Sequence, residues 1–163
     1  MTRTTALFVK DLLGDYQVAA EDEVIAEAKR VLERRVRKCA PMSSPQMVQD
    51  YLAVQLSRLE YEVFVVMFLD AQHRLIEMRE MFRGTLSQTS VYPREVVRAA
   101  LQLNAGAIVV AHNHPSGEPE PSRADEFLTS TLKTAMQLVD VRLLDHMIVG
   151  GARVMSFAER GLL

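Results

Sequence analysis

An α/β fold is what this sequence predicts, on three observations. Two apolar runs of strand length, 63–69 (VFVVMFL) and 107–111 (AIVVA), have the continuous β-branched and aromatic character of strands covered on both faces. Segments with helical spacing and helix start signals precede, separate and follow them, so strands and helices alternate. At 163 residues, 48% hydrophobic and 25% charged, the chain has the size and composition of one folded domain with a small appendage.

The first 39 residues differ in character from the rest. From 21 to 37 a charged stretch carries Val24, Ala28, Val31, Leu32, Arg35 and Val36 near helical spacing, which reads as an amphipathic helix. Its cluster at 29–38, KRVLERRVRK, could touch nucleic-acid phosphates. The basic residues alternate with apolar positions that would face a core, however, so a solvated helix face is the simpler reading. Residues 40–45, with two prolines and two serines, read as a junction. A helical extension over 1–39 and a main domain over 40–163 are therefore expected.

Ser44 and Pro45 suit the N-cap and first position of the helix that leads this domain, with Met47, Val48, Tyr51, Leu52, Gln55 and Leu56 as its stripe. The strand at 63–69 turns through Asp70-Ala71-Gln72-His73, with His73 expected to face water. It returns over 74–82 until Gly84 breaks it. Pro93 opens a helix through Leu103, closed by 104–106. The strand at 107–111 runs directly into His112-Asn113-His114-Pro115-Ser116-Gly117. Over 122–139, apolar or small residues at 124, 127, 128, 131, 132, 135, 138 and 139 give a helical stripe. A strand over 141–149, a Gly150-Gly151 turn and a short segment with Val154 and Phe157 complete the chain.

Composition narrows the function. A net charge of -2 provides no global field for nucleic acid. The single cysteine, Cys39, excludes an intramolecular disulfide framework and a zinc site of several thiolates; it reads as a small apolar residue in a reducing, cytoplasmic setting. No apolar run approaches the roughly 18 to 20 residues of a membrane span, and the opening apolar stretch is too short for a secretory signal.

Chemistry concentrates at 112–125. Histidines at i and i+2 of an extended segment share a face, roughly 6 to 7 Å apart along the strand, so His112 and His114 can converge on one ion. A catalytic zinc uses three protein ligands, and Asp125 is the natural third, because the loop through Pro115, Gly117, Pro119 and Pro121 folds the chain back. A simpler reading stands beside it: Ser122 and Asp125 also have the spacing of a helix capping arrangement. A proton acceptor for water could be Glu60, Glu62, Glu77 or Glu80, and strand parity does not separate Glu60 from Glu62. His146, beside Asp145, could serve a metal directly or from behind a ligand, although packing accounts for it more simply.

His-x-His followed after seven residues by Ser and after two more by Asp is the JAMM signature of the JAB/MPN metalloproteases, and His112, His114, Ser122 and Asp125 match it position for position. The stretch AHNHPSGEPEPSRAD, with the later LLDHMIVG and SFAERGLL, resembles the RadC group of that superfamily over about 41–163. The resemblance implies a mixed β-sheet flanked by helices, related to the cytidine-deaminase-like α/β/α architecture. It implies Zn2+ on His112, His114 and Asp125, Ser122 orienting groups and steadying the oxyanion, and a glutamate just before an apolar strand activating the water, which favours Glu62. Hydrolysis of a peptide or isopeptide bond in a peptide or protein substrate is the implied reaction. RadC-type proteins often carry a helix-hairpin-helix region associated with DNA, and 1–39 shows no clear counterpart. A repair accessory, a nuclease and a non-catalytic MPN-type binding module are the competing readings. The cysteine pattern of the zinc nucleobase deaminases and the HExxH pattern are absent.

Overall fold

The computed structural model describes residues 6–10, 15–38, 45–84 and 91–163, and of 33–38 the backbone alone. Seven strands and four helices follow in the order β1 (Phe8–Lys10), β2 (Tyr16–Val18), α1 (Glu21–Lys38), α2 (Pro45–Leu56), β3 (Val63–Leu69), β4 (Leu75–Arg83), α3 (Pro93–Gln102), β5 (Ala107–Asn113), α4 (Arg123–Gln137), β6 (Arg142–Gly150) and β7 (Arg153–Ser156). Cys39, the junction at 40–44 and the Ser44 cap lie outside the described residues.

Five strands make one mixed sheet in the order β4-β3-β5-β6-β7, antiparallel at each junction except the parallel pair β5 and β6. That parallel pair needs a crossover, which α4 supplies. Side-chain alternation along β3 and β5 sends odd-numbered residues to one face and even-numbered ones to the other. Val63, Val65, Met67, Leu69, Ala107, Val109 and Ala111 pack under Val48, Tyr51, Leu52 and Leu56 of α2, with Leu32 of α1 reaching the same cluster. Phe64, Val66, Phe68, Ile108 and Val110 pack under Val96, Ala99 and Ala100 of α3 and Leu132 and Met136 of α4. Helices therefore cover both faces, as the unbroken apolar runs of β3 and β5 require, and the layers are α/β/α.

Three sequence expectations need correction. A two-stranded sheet, β1 against β2, precedes α1; strands of three residues are too short to leave a periodic signal. The stripe read for α4 holds only in part: Leu132 is buried and Leu128 and Val139 pack against the same cluster, but Phe127 and Leu138 are 76% and 82% exposed, while Thr129 and Met136 are buried. His73 does not simply face water. It holds the turn with a φ of 60°, and Arg142 Nη2 donates to its Nε2 at 2.6 Å. Asp70 completes that turn by accepting from the backbone N–H of Gln72 and Arg74 at 2.8 and 2.9 Å.

Candidate metal centre

Strand β5 runs two residues past its expected end, because His112 and Asn113 still pair with Ile148 and Val149 of β6, and His112 with Phe64 of β3. His112 is thus fixed within the sheet, on the face covered by α3 and α4. The chain leaves the strand at His114, whose N–H donates to Val149 O at 2.8 Å, and turns at Gly117 (φ 84°). Gly150 lets this loop lie close: a Cβ there would meet Pro119 N at 2.6 Å and Gly117 O at 2.7 Å. The loop then delivers the first turn of α4 to the open end of β5, the place where open α/β sheets bind ligands.

His112, His114 and Asp125 meet there, each offering a ligand atom within 4.8 Å of the others. His112 Nε2 lies 3.0 Å from His114 Nε2 and 3.4 Å from Asp125 Oδ1, and His114 Nε2 lies 4.0 Å from Asp125 Oδ2. Ligand atoms around a tetrahedral zinc stand about 3.3 Å apart at ordinary bond lengths. Two imidazoles and a carboxylate at these separations fit a divalent cation of that kind.

Asp125 makes the cap, and the cap leaves one of its carboxylate oxygens turned toward the histidines. Its Oδ2 accepts from Ser122 N at 2.7 Å and from Ser122 Oγ at 2.6 Å, and Ser122 Oγ accepts from Asp125 N at 3.2 Å, a reciprocal capping box. Oδ1 remains toward His112. His114 is oriented in the same manner, its Nδ1 donating to Glu118 O at 2.8 Å and its Nε2 directed at the site.

Burial pushes the His112 imidazole down to about 4; the Asp125 carboxylate opposes that shift and the His114 ring adds to it. Burial also pushes His146 well below its ordinary value, with His112 and His114 acting in the same direction. His146 lies directly behind His112, Nε2 to Nδ1 at 2.9 Å, and not in the ligand cluster. Asp145 points to the other face. It accepts from Ser156 Oγ, Ala158 N and His146 N, and burial raises its pKa. The LLDHMIVG pair thus divides, one residue toward the site and one toward packing.

The glutamates separate by register. Glu62 stands immediately before β3, two residues from the Phe64 that pairs with His112. Glu60 is exposed in the bend before it. Glu77 pairs with Phe68, four residues further along, and its carboxylate binds Arg79. Glu80 pairs with Val65, whose face is the one under α2. A residue that sequence reasoning passed over holds Glu62 in place: buried Asn113, between the two histidines, accepts from Val63 N at 2.8 Å and donates to Tyr61 O at 3.0 Å. The backbone on both sides of Glu62 is therefore tied to the His-x-His strand. A buried amide inside an apolar strand end was the available signal.

Among the described residues no helix is long and apolar enough to cross a membrane. A family model described as the RadC-like JAB domain matches residues 42–162. A UPF0758 protein of Leptothrix cholodnii is 58% identical over 151 residues, covering 93% of this chain and 68% of its own length. Relatives of the same description from a Polaromonas species and from Chromobacterium violaceum are 56% and 53% identical, over 93% and 97% of this chain and 67% and 70% of theirs. By sequence, and by a mixed sheet flanked by helices with a His-His-Asp group at the end of its central strand, the chain belongs to the RadC-like JAB domain family.

Proposed function

We propose that this protein is a zinc-dependent metallohydrolase, a JAMM-type metallopeptidase that cleaves a peptide or isopeptide bond in a cytoplasmic peptide or protein. The observation that carries this reading is the convergence of His112, His114 and Asp125 within 4.8 Å, at separations suited to a tetrahedral ion. These three residues would hold the metal. Bound zinc supplies Lewis acidity, which brings the pKa of water toward roughly 7.

The remaining steps belong to the chain's own groups. Glu62, at the mouth of β3 two residues before the partner of His112, takes the proton of the attacking water. It then returns that proton to the leaving amine, which is why an amide is the preferred bond. In the free protein the Ser122 hydroxyl donates to Asp125. To steady the oxyanion that develops on the substrate carbonyl it turns that single proton to the substrate, and the Ser122 backbone N–H keeps Asp125 in place. Asn113 holds the Glu62 segment against β5, so the base and the metal ligands share one rigid strand pair. Membership of the RadC-like JAB family supports hydrolysis as the reaction class.

The test is turnover of peptide and isopeptide-linked libraries by the purified chain. Cleavage should require zinc, cease on chelation and return when zinc is restored. A zinc-loaded chain that cleaves no amide in either library would contradict the peptidase reading.

A further inference from the structure

We infer that Thr129 and His146 form a one-way hydrogen-bond relay that fixes His112 with its proton on Nδ1, so that its Nε2 lone pair faces Asp125 and His114. The inference rests on the proposed metal centre for its purpose, but its geometry stands in the protein itself. Thr129 Oγ lies 2.6 Å from the backbone carbonyl oxygen of Asp125, one turn earlier in α4. A carbonyl only accepts, so the single hydroxyl proton of Thr129 is committed to it. The same Oγ lies 2.6 Å from His146 Nδ1. Having no second proton to give, it accepts there, and Nδ1 of His146 must carry the hydrogen.

His146 is wholly buried, stacked on Phe157 at 4.7 Å with Phe64 edge-on at 5.9 Å. Such an apolar slot favours a neutral ring, which leaves Nε2 bare. That nitrogen sits 2.9 Å from His112 Nδ1 and accepts from it. His112 therefore spends its ring proton inward and presents Nε2 as a lone pair. His114, whose Nδ1 donates to Glu118 O, turns its Nε2 to within 3.0 Å of that lone pair, and two bare nitrogens so close would be held together by a shared cation. A His112 protonated on Nε2 would aim a hydrogen at the metal position and could not ligate. The relay begins on the main chain of Asp125, itself a proposed ligand, so one turn of α4 supplies a carboxylate and sets the polarity of the ring opposite it. Thr129 and His146 are positioning residues: they act through His112.

The experiment uses the full chain, metal-free and labelled with 15N-histidine, in long-range proton–nitrogen correlation spectra, followed by zinc titration. His112 and His146 should each be protonated on Nδ1 and bare on Nε2. Thr129→Val should release that order, mix the tautomers of both rings and weaken zinc binding by about 10- to 100-fold, the usual cost of losing a partner behind a ligand. Thr129→Ser, which keeps the hydroxyl, should restore both readouts. Normal zinc uptake with wild-type His112 protonated on Nε2 would overturn the relay and spare the metal-centre reading. No zinc uptake with the tautomers as stated would uphold the relay and overturn that reading. Wild-type tautomers and affinity in Thr129→Val would overturn the relay. If Thr129→Val fails to fold, the wild-type spectra still decide.

Discussion

The two ends of the central strand pair are built from the same strands to opposite purposes. At the Leu69 and Ala107 end, β3 and β5 pair Phe68 with Ile108 under α3 and α4, and every side chain is apolar. At the other end Phe64 pairs with His112, and His112 and His146 of the sheet meet Thr129 and Asp125 of α4. Packing at the first end depends on volume, and burial alone stabilises it. The second end buries polar atoms, each of which must find a partner, so its order depends on hydrogen bonds with a defined direction. Apolar packing belongs to one end and the candidate metal centre to the other.

Glu62→Gln should break the polar end functionally with the largest effect. It removes a base of nearly equal volume, so turnover should fall by roughly 10²- to 10⁴-fold while zinc stays bound. Glu60→Gln, two residues away in an exposed bend, should leave turnover unchanged. Loss of turnover in the Glu60 variant with the Glu62 variant intact would move the base two residues upstream.

Phe68→Ala tests the apolar end. Deleting a fully buried ring should cost about 3 to 5 kcal/mol in denaturant unfolding. Zinc affinity, measured where the variant is still folded, should match the parent chain. A large loss of affinity would show that the two ends are not separable.

Acid should undo the polar end selectively. The folded chain holds His112 at about 4, against 6.5 for an unperturbed ring, and His146 is shifted the same way. The folded state therefore binds these protons less readily than the unfolded one. Their contribution to the metal-free protein is complete above pH 6.5 and is lost as pH falls toward 4, by up to about 1.4 kcal/mol per pH unit for each ring. A stability profile flat across that window would contradict the buried neutral pair.

The smallest effect concerns nucleic acid. Binding through the 29–38 cluster should be weak, on the order of 10⁻⁴ to 10⁻⁶ M, and should fall steeply with salt. Arg30, within that cluster, is already paired with Glu27. Sequence-selective binding retained at high salt would favour the repair-accessory reading.

What could be read from the sequence follows the same division. The apolar runs of β3 and β5, the Pro93 helix start and the hairpin at Asp70 were legible because periodicity and turn chemistry act locally. The stripe of α4 was read correctly at Leu128 and Leu132 and wrongly at Phe127, because its inward face also carries Asp125 and Thr129, polar residues that a hydrophobic pattern assigns to solvent. His146 read as packing because nothing local reveals that β6, 34 residues on from His112, lies beside β5. Asn113 drew no reading from the sequence, since its partners, Tyr61 and Val63, are 52 and 50 residues earlier. Ser122 and Asp125 carried two readings, and two carboxylate oxygens allow both.

The central claim is that His112, His114 and Asp125 form one metal centre, and zinc binding by the purified chain and its single variants tests it most directly. Calorimetric titration with elemental analysis should give about one zinc per chain. His112→Ala, His114→Ala and Asp125→Ala should each weaken binding by more than about 100-fold, exceeding the usual loss of a partner behind a ligand, while the apolar end keeps the chain folded. Wild-type zinc affinity in all three variants would contradict the account.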